Sequence, residues 1–239
     1  MAAYFVKWNA SDSEEATYAA ESDEGAAWTM NVFPTEPVCA STFNESLIER
    51  EGQMYGEESL RSNSPGTLAP GGNLHRVPYC GRNHEYYSED PMLTSILMTA
   101  FCRGGSSKGL MTEPKHFAFN HQEANRSGVS TFMTEQAARE NDLRCFEEAL
   151  SSNMAMGLMT SYNRVGVVYS SAHAGLLEQI LRNEWGYQGW VVTDMAAAPN
   201  YMNWLDSVLA GTGGRGTLWG RLKGAKYRFH LQFLTWGFS

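Results

Sequence analysis

No stretch of this sequence approaches the ~20 consecutive apolar residues that a membrane-crossing helix requires, so no membrane partner is expected. The amino end, MAAYFVKWNASDSEE, lacks a basic region followed by an apolar core. No secretory signal is expected there, and a cytoplasmic chain is. Cysteine is sparse, at Cys39, Cys80, Cys102 and Cys145, and no two form a C-x-x-C pair. That spacing argues against a zinc ribbon or a redox dithiol and reads as free thiols in a reducing compartment. The six histidines lack H-E-x-x-H or comparable spacing, so neither metal nor cofactor is expected. Positive charge is short too: 18 Lys and Arg stand against 26 Asp and Glu, for a net charge of −8. Arg215, Arg221, Lys223, Lys226 and Arg228 fall in the last 25 residues with no acid among them. The body is therefore more acidic than the total. An acidic body repels a phosphate backbone, which excludes nucleic acid as the main partner, and the basic end reads as a tail.

What is present is an ordinary globular balance, 43% hydrophobic and 18% charged, at a length that suits one large domain or two small ones. Residues 1–30 are rich in Ala, Ser and acid and read as a loosely ordered lead-in. NESLIEREGQMYGEESLR (44–61) predicts a helix capped by Asn44. The Gly- and Pro-rich stretch 62–91 predicts loops around a short strand near 67–69. PMLTSILMTAFCRG (91–104) predicts a helix with Pro91 in its first turn and Gly104 near its end. A rhythm follows. A strand is expected at 109–117, a helix over 134–152 with Leu143, Phe146 and Leu150 on one face, and a strand at 157–163. A helix at 174–186 buries Leu176, Leu177, Ile180 and Leu181 and stops at Gly186, and GWVVTD closes the series as a strand. Strands alternating with helices, apolar without a period of two, predict a parallel α/β fold covered on both faces.

The polar residues gather at one kind of place. Lys115 and His116, Tyr162 and Asn163, and Asp194 all stand at carboxyl ends of successive strands, the edge where parallel α/β folds build sites. Asp194, after a strand and before a helix, is either an N-cap or a nucleophile or general base. His116 alone is either a hydrogen-bonded core histidine or a catalytic one. Lys115 beside it is costly to bury without a partner, which points to an anionic or hydroxyl-rich pocket. Arg126 and Glu123, in NHQEANR, form either a loop salt bridge or a ligand clamp.

Together KHFAFNHQEANRSG, MTSYNRVG and WGYQGWVVTDM resemble the N-terminal barrel domain of family 3 glycoside hydrolases, the β-glucosidase group. So do the upstream FPTEPVCASTFNESLIEREGQMYGEE and APGGNLHRVPYCGRNHEYYSEDP. The resemblance covers about residues 31–212, with the motifs in the family's order and spacing. It implies an α/β fold of the (β/α)₈ TIM-barrel type. The matched length is short of the ~250 residues usual for such a barrel, which leaves its first and last strands unaccounted for. It implies Asp194 as the catalytic nucleophile and Lys115 and His116 as the pair holding sugar hydroxyls. It further implies Arg76 and Arg126 as sugar-contacting arginines, Tyr162 beside the nucleophile, and Met195 in the apolar wall of the subsite, where the family usually has Trp. The implied partner is a β-linked oligosaccharide or an aryl glucoside, cleaved with retention through a glycosyl-aspartate. Such an enzyme needs a second carboxyl about 5–5.5 Å from the nucleophile as acid and then base. A nucleophile flanked by Lys115, Arg76 and Arg126 is expected to stay ionised.

The family's acid/base is usually a glutamate on a separate sandwich domain, which these 239 residues do not include. Three readings stay open. The acid comes from elsewhere; or it is internal, as in the single-domain N-acetylhexosaminidases, with His121 first and Glu123 and Glu85 behind it; or the chain binds sugar without turnover. A barrel short of strands has exposed sheet edges, which favour self-association into a homo-oligomer.

Overall fold

The computed structural model describes residues 5–6, 31–62, 65–194 and 204–212. The lead-in apart from residues 5–6, Met195 and the basic tail lie outside the described residues.

The core of the fold is a parallel sheet whose segments follow one another in chain order. Strand β1 (Phe5–Val6) lies antiparallel beside β2 (Gly66–Thr67), and β2 pairs in parallel with β3 (Met111–Thr112). The pairing of β2 and β3 continues past their ends, with Gly71 opposite Lys115. Phe117 is then opposite Thr160, and Met159 opposite Val192, both in parallel. Backbone bonds follow that order: Lys115 N–H to the Pro70 carbonyl (3.0 Å), Phe117 N–H to Met159 (2.8 Å), and Val192 N–H to Leu158 (2.8 Å). Four parallel segments, each preceded by a helix, lie side by side in chain order, as in part of the wall of a TIM-barrel-like fold.

The helices form as the sequence suggests, with instructive departures. Helix α1 (Glu36–Ala40) precedes α2 (Glu45–Ser62). Asn44 caps α2 by accepting from Leu47 N–H at 3.0 Å. Helix α3 (Pro91–Ser106) starts with Asp90 accepting from Leu93 N–H at 2.7 Å. Gly104 lies near its end, as expected, two residues before Ser106. Its role is close approach: a Cβ at Gly104 would stand 2.0 Å from the Glu49 carbonyl oxygen, and one at Gly52 would stand 2.2 Å from that of Phe101. Arg103 fastens the same interface to Glu45 and Glu49 at 2.8 Å each. Alanine at Gly104 would add about 1 kcal/mol of helix propensity, but backbone does not yield to a Cβ at that distance. Gly104→Ala is therefore expected to lower stability by about 1–3 kcal/mol, the range for overpacking, read from urea unfolding.

The stretch expected as one helix over 134–152 is helix α4 (Glu135–Ala137), a wider π-type turn over Ala138–Asp142, and helix α5 (Arg144–Ser151). Leu143 N–H reaches back five residues to the Ala138 carbonyl at 2.9 Å. The helix expected at 174–186 is likewise wide over Gly175–Glu184, and Gly186 follows at φ +69°. Both keep the expected faces: Leu143, Phe146, Leu150, Leu176, Leu177 and Leu181 are buried, and Ile180 is half-buried against them. Phe117 points outward from the sheet into this layer, with ring centroids 5.3 Å from Phe146 and 5.9 Å from Trp185.

One element had no sequence signal. Strand β4 (Ser130–Thr131) pairs in parallel with β5 (Arg164–Val165), which turns back through Gly166 (φ +60°) into β6 (Val168–Tyr169). This small sheet is built by the loops that follow the second and third parallel segments. Helix α6 (Trp204–Leu209) closes the described chain, with Thr212 donating to the Ser171 carbonyl at 2.7 Å. All four cysteines are buried free thiols.

Candidate active site

The carboxyl ends of the parallel segments bring Lys115, His116 and Asp194 together. The backbone of His116 is clamped by one side chain: Asn73 Oδ1 accepts its N–H at 2.8 Å, and Asn73 Nδ2 donates to its carbonyl at 2.9 Å. The Lys115–His116 and Phe117–Ala118 peptides are cis. The His116 side chain is 1% exposed, and its Nε2 lies 3.5 Å from Asp194 Oδ2. Burial pushes the His116 imidazole well below its usual pKa, and the cations Arg82, Lys115 and Arg126 push it the same way. The ring facing Asp194 is therefore neutral. It can donate one hydrogen bond but is poorly suited to act as a proton-donating acid.

Lys115 is not left alone. Its Nζ lies 3.2 Å from Glu85 Oε2, and Arg82 Nε donates to the other oxygen of that carboxylate. Burial works to raise the Glu85 pKa, but Arg82 and Lys115 outweigh it and hold the carboxyl below its usual range. Glu85, weighed from sequence as an acid, thus sits as an ionised counter-ion between two cations.

Arg126 meets Tyr162 as a stack, its guanidinium carbon 4.3 Å from the ring centroid, and pairs with Glu123 at 3.0 Å. Glu123 also accepts from Asn120 Nδ2 at 3.3 Å. Arg76 stands in a second group. It makes a two-pronged bond to the buried Asp142, Nε–Oδ1 3.1 Å and Nη2–Oδ2 2.9 Å, while 41% of its side chain stays exposed. His121 Nε2 lies against the same Asp142 Oδ1. Burial works to raise Asp142, and His121 and Arg76 together hold it below the usual carboxylate range.

Beneath the site lies Glu113, 4% exposed, with one carboxyl oxygen lacking a hydrogen-bond partner among the described residues. Thr112 beside it reaches outward to helix α3 at Gly105, and Glu113 points the other way, toward Gly157 and Trp190. Burial pushes its pKa up to about 8, with Lys115 opposing and Asp194 adding.

Sequence reasoning did not single out Arg82, Tyr86, Asn73, Asn120, Asp142 or Glu113. A signal existed for one: Arg82 stands three residues before Glu85. Asp142 and Asn120 carry none, because only the fold brings them to their partners. Among the described residues, no group of three or more metal-ligating side chains could hold an ion, and no helix is long and apolar enough to cross a membrane.

These features define a parallel α/β domain of the barrel class with a cation-lined carboxylate at the carboxyl ends of its strands. Residues 16–208 match the model of the glycosyl hydrolase family 3 N-terminal domain. The chain is 38% identical over 177 residues to thermostable beta-glucosidase B of Acetivibrio thermocellus, covering 74% of this chain and 23% of that one. It is 36% identical over 182 residues to the exo-alpha-(1->6)-L-arabinopyranosidase of Bifidobacterium breve, covering 76% and 24%. Beta-glucosidase 3B from Thermotoga neapolitana, solved in complex with glucose, superposes at a TM-score of 0.75 with 40% identity, over 80% of this chain and 26% of that one. This chain belongs to glycosyl hydrolase family 3 and carries its N-terminal domain. It spans about a quarter of the length of these relatives.

Proposed function

We propose that this domain is the sugar-binding and nucleophile-bearing part of a retaining glycoside hydrolase that acts on terminal β-D-glucosyl or related residues. The observation that carries the reading is the convergence of Lys115, His116 and Asp194 at the carboxyl ends of the second and fourth parallel segments, which flank the third, with His116 Nε2 3.5 Å from the Asp194 carboxylate. In the first step Asp194 attacks the anomeric carbon and the glycosidic C–O bond breaks. The leaving oxygen takes a proton from an acid. In the second step water attacks the same carbon, a base takes its proton, and Asp194 departs as carboxylate. Lys115 and His116 are read as the pair that holds sugar hydroxyls and Arg126 as a further contact stacked on Tyr162, while Arg76, read from the resemblance as a sugar contact, is bonded to Asp142 in the second group. Met195 is assigned to the apolar wall. Glu123, paired with Arg126 and Asn120, is read as holding Arg126 rather than as the acid.

Two observations bear on the acid. His116 is neutral and buried, which argues against it. His121 lies against a buried carboxylate, Asp142, which favours a second reading with an internal His121 acid. The main reading takes the acid from a part of the protein beyond these residues or from another chain.

A 2,4-dinitrophenyl β-D-glucoside separates the readings, because its phenolate leaves without needing a proton. The expected result is a burst of phenolate stoichiometric with protein, followed by slow turnover. Full steady turnover that is lost in His121→Ala would favour the internal acid. Glucose binding by calorimetry with neither burst nor turnover would reduce the domain to a binding module. Absence of all three would overturn the proposal. Self-association, expected of a barrel short of strands, belongs to the same reading, and a monomer by light scattering would contradict it.

A further inference from the structure

Tyr86 is buried and belongs to no part of the reaction described above. Its hydroxyl lies 3.2 Å from Nδ1 of His116, on the side of the ring opposite Asp194, and 3.3 Å from Nδ2 of Asn120. The same Asn120 nitrogen lies 3.3 Å from Glu123 Oε1, and Arg126 pairs with the other oxygen of that carboxylate. One line of polar contacts therefore runs from Arg126 through Glu123, Asn120, Tyr86 and His116 to Asp194.

The direction of each bond in that line follows from chemistry. A carboxylate paired with arginine can only accept, so the Asn120 amide presents its nitrogen to Glu123. That nitrogen carries two protons, and the second is directed to the Tyr86 oxygen. The Tyr86 oxygen thus accepts from Asn120, and its own single proton is left for His116 Nδ1. A neutral imidazole that accepts at Nδ1 carries its proton on Nε2. The opposite tautomer would leave the Tyr86 hydroxyl with two donors and no acceptor. It would also turn the Nε2 lone pair toward a carboxylate 3.5 Å away. Both are costly in a buried site.

We infer that Tyr86 is a positioning residue whose hydroxyl, oriented by Asn120, fixes the His116 proton on Nε2 and so aims an N–H at the Asp194 carboxylate. The neutrality this needs has its own cause: the ring is fully buried and faces the cations Arg82, Lys115 and Arg126, which disfavour a further positive charge. With the proton on Nε2, an N–H and not a lone pair faces the Asp194 carboxylate. The inference rests on Asp194 being the nucleophile only for its kinetic consequence, since the tautomer is a property of the resting protein.

The test reads both. In the wild-type protein labelled with ¹⁵N-histidine, His116 is expected to show one protonated nitrogen, assigned to Nε2, unchanged across neutral pH. Tyr86→Phe, checked for folding by its unfolding midpoint, is expected to shift that population toward Nδ1–H. It should slow the burst with the dinitrophenyl glucoside about tenfold, with the substrate concentration at half-maximal burst rate within twofold of wild type. A proton on Nδ1 in the wild type overturns the inference without any variant, and this readout survives if Tyr86→Phe does not fold. A folded Tyr86→Phe with unchanged tautomer also overturns it. If the tautomer is as stated but no burst occurs even in the wild type, the proposed function fails, while the assignment of Tyr86 to His116 stands.

Discussion

Asp194→Ala is expected to remove the phenolate burst altogether while leaving glucose binding and the unfolding midpoint close to wild type. Loss of a covalent nucleophile costs on the order of 10⁶-fold in rate where it has been deleted from a catalytic group acting as a unit. Among the described residues His116 is neutral and fully buried, and Glu85 is engaged by Arg82 and Lys115, so neither is placed to substitute. Alanine also opens space where the carboxylate stood. Azide is small, needs no general base, and should enter that space and attack the anomeric carbon from the same face. Partial recovery of phenolate release with azide, yielding the α-glucosyl azide, is the expected signature. A burst that survives Asp194→Ala would show that another residue forms the covalent bond.

Glu113→Gln is expected to remove a loss of stability that the wild-type protein suffers as pH rises. The folded protein holds the Glu113 proton up to about pH 8, whereas an unfolded glutamate releases it near 4.5. Between those values the folded state binds more protons than the unfolded state, so stability falls as pH rises. Below 4.5 the carboxyl is protonated in both states and costs nothing. Above 8 the full cost applies, on the order of 5 kcal/mol for a shift of this size. The charges acting on the group are Lys115, which favours its ionisation, and Asp194, which opposes it. Glutamine keeps the shape and cannot ionise, so its urea midpoint should match wild type near pH 5 and exceed it clearly at pH 9. Glu85 and Asp142 act with the opposite sign. Their folded pKa values lie below the usual range, so the stability they contribute is present at neutral pH and lost as pH falls through those values. A wild-type profile with no decline between pH 5 and 9 would contradict the account of Glu113.

The parts of the fold that were legible in the sequence are those in which one segment carries its own signal. The stretch 91–104, with Pro91 in its first turn and Gly104 near its end, predicts helix α3 without help from the rest of the chain. The apolar runs at 109–117, 157–163 and 189–194 read as covered parallel strands, and the structure pairs them in chain order. The π-type turns were not legible, because bonding five residues back instead of four barely alters which residues face inward. The sheet of β4, β5 and β6 was not legible either, since its strands are two residues long and polar or half-exposed. At the site, Lys115, His116 and Asp194 stand out in sequence because each is a polar residue closing an apolar run. Tyr86, Asn120 and Asp142 do not. Their partners lie 30, 34 and 66 residues away, at His116, Tyr86 and Arg76, and only the closed fold makes those distances short. Gly104 shows the converse: its place near the helix end was legible, but the reason for a glycine there lies in the helix packed across it.

The most direct measurement is the mass of the protein after incubation with 2,4-dinitrophenyl 2-deoxy-2-fluoro-β-D-glucoside. The fluorine slows both steps, and the phenolate leaves without an acid, so a glycosyl-enzyme should accumulate whatever supplies the proton in the natural reaction. The account predicts one added 2-deoxy-2-fluoroglucosyl group, found by peptide mapping on Asp194. A label on any other residue, or a protein that hydrolyses the parent glucoside yet takes up no label, would contradict it.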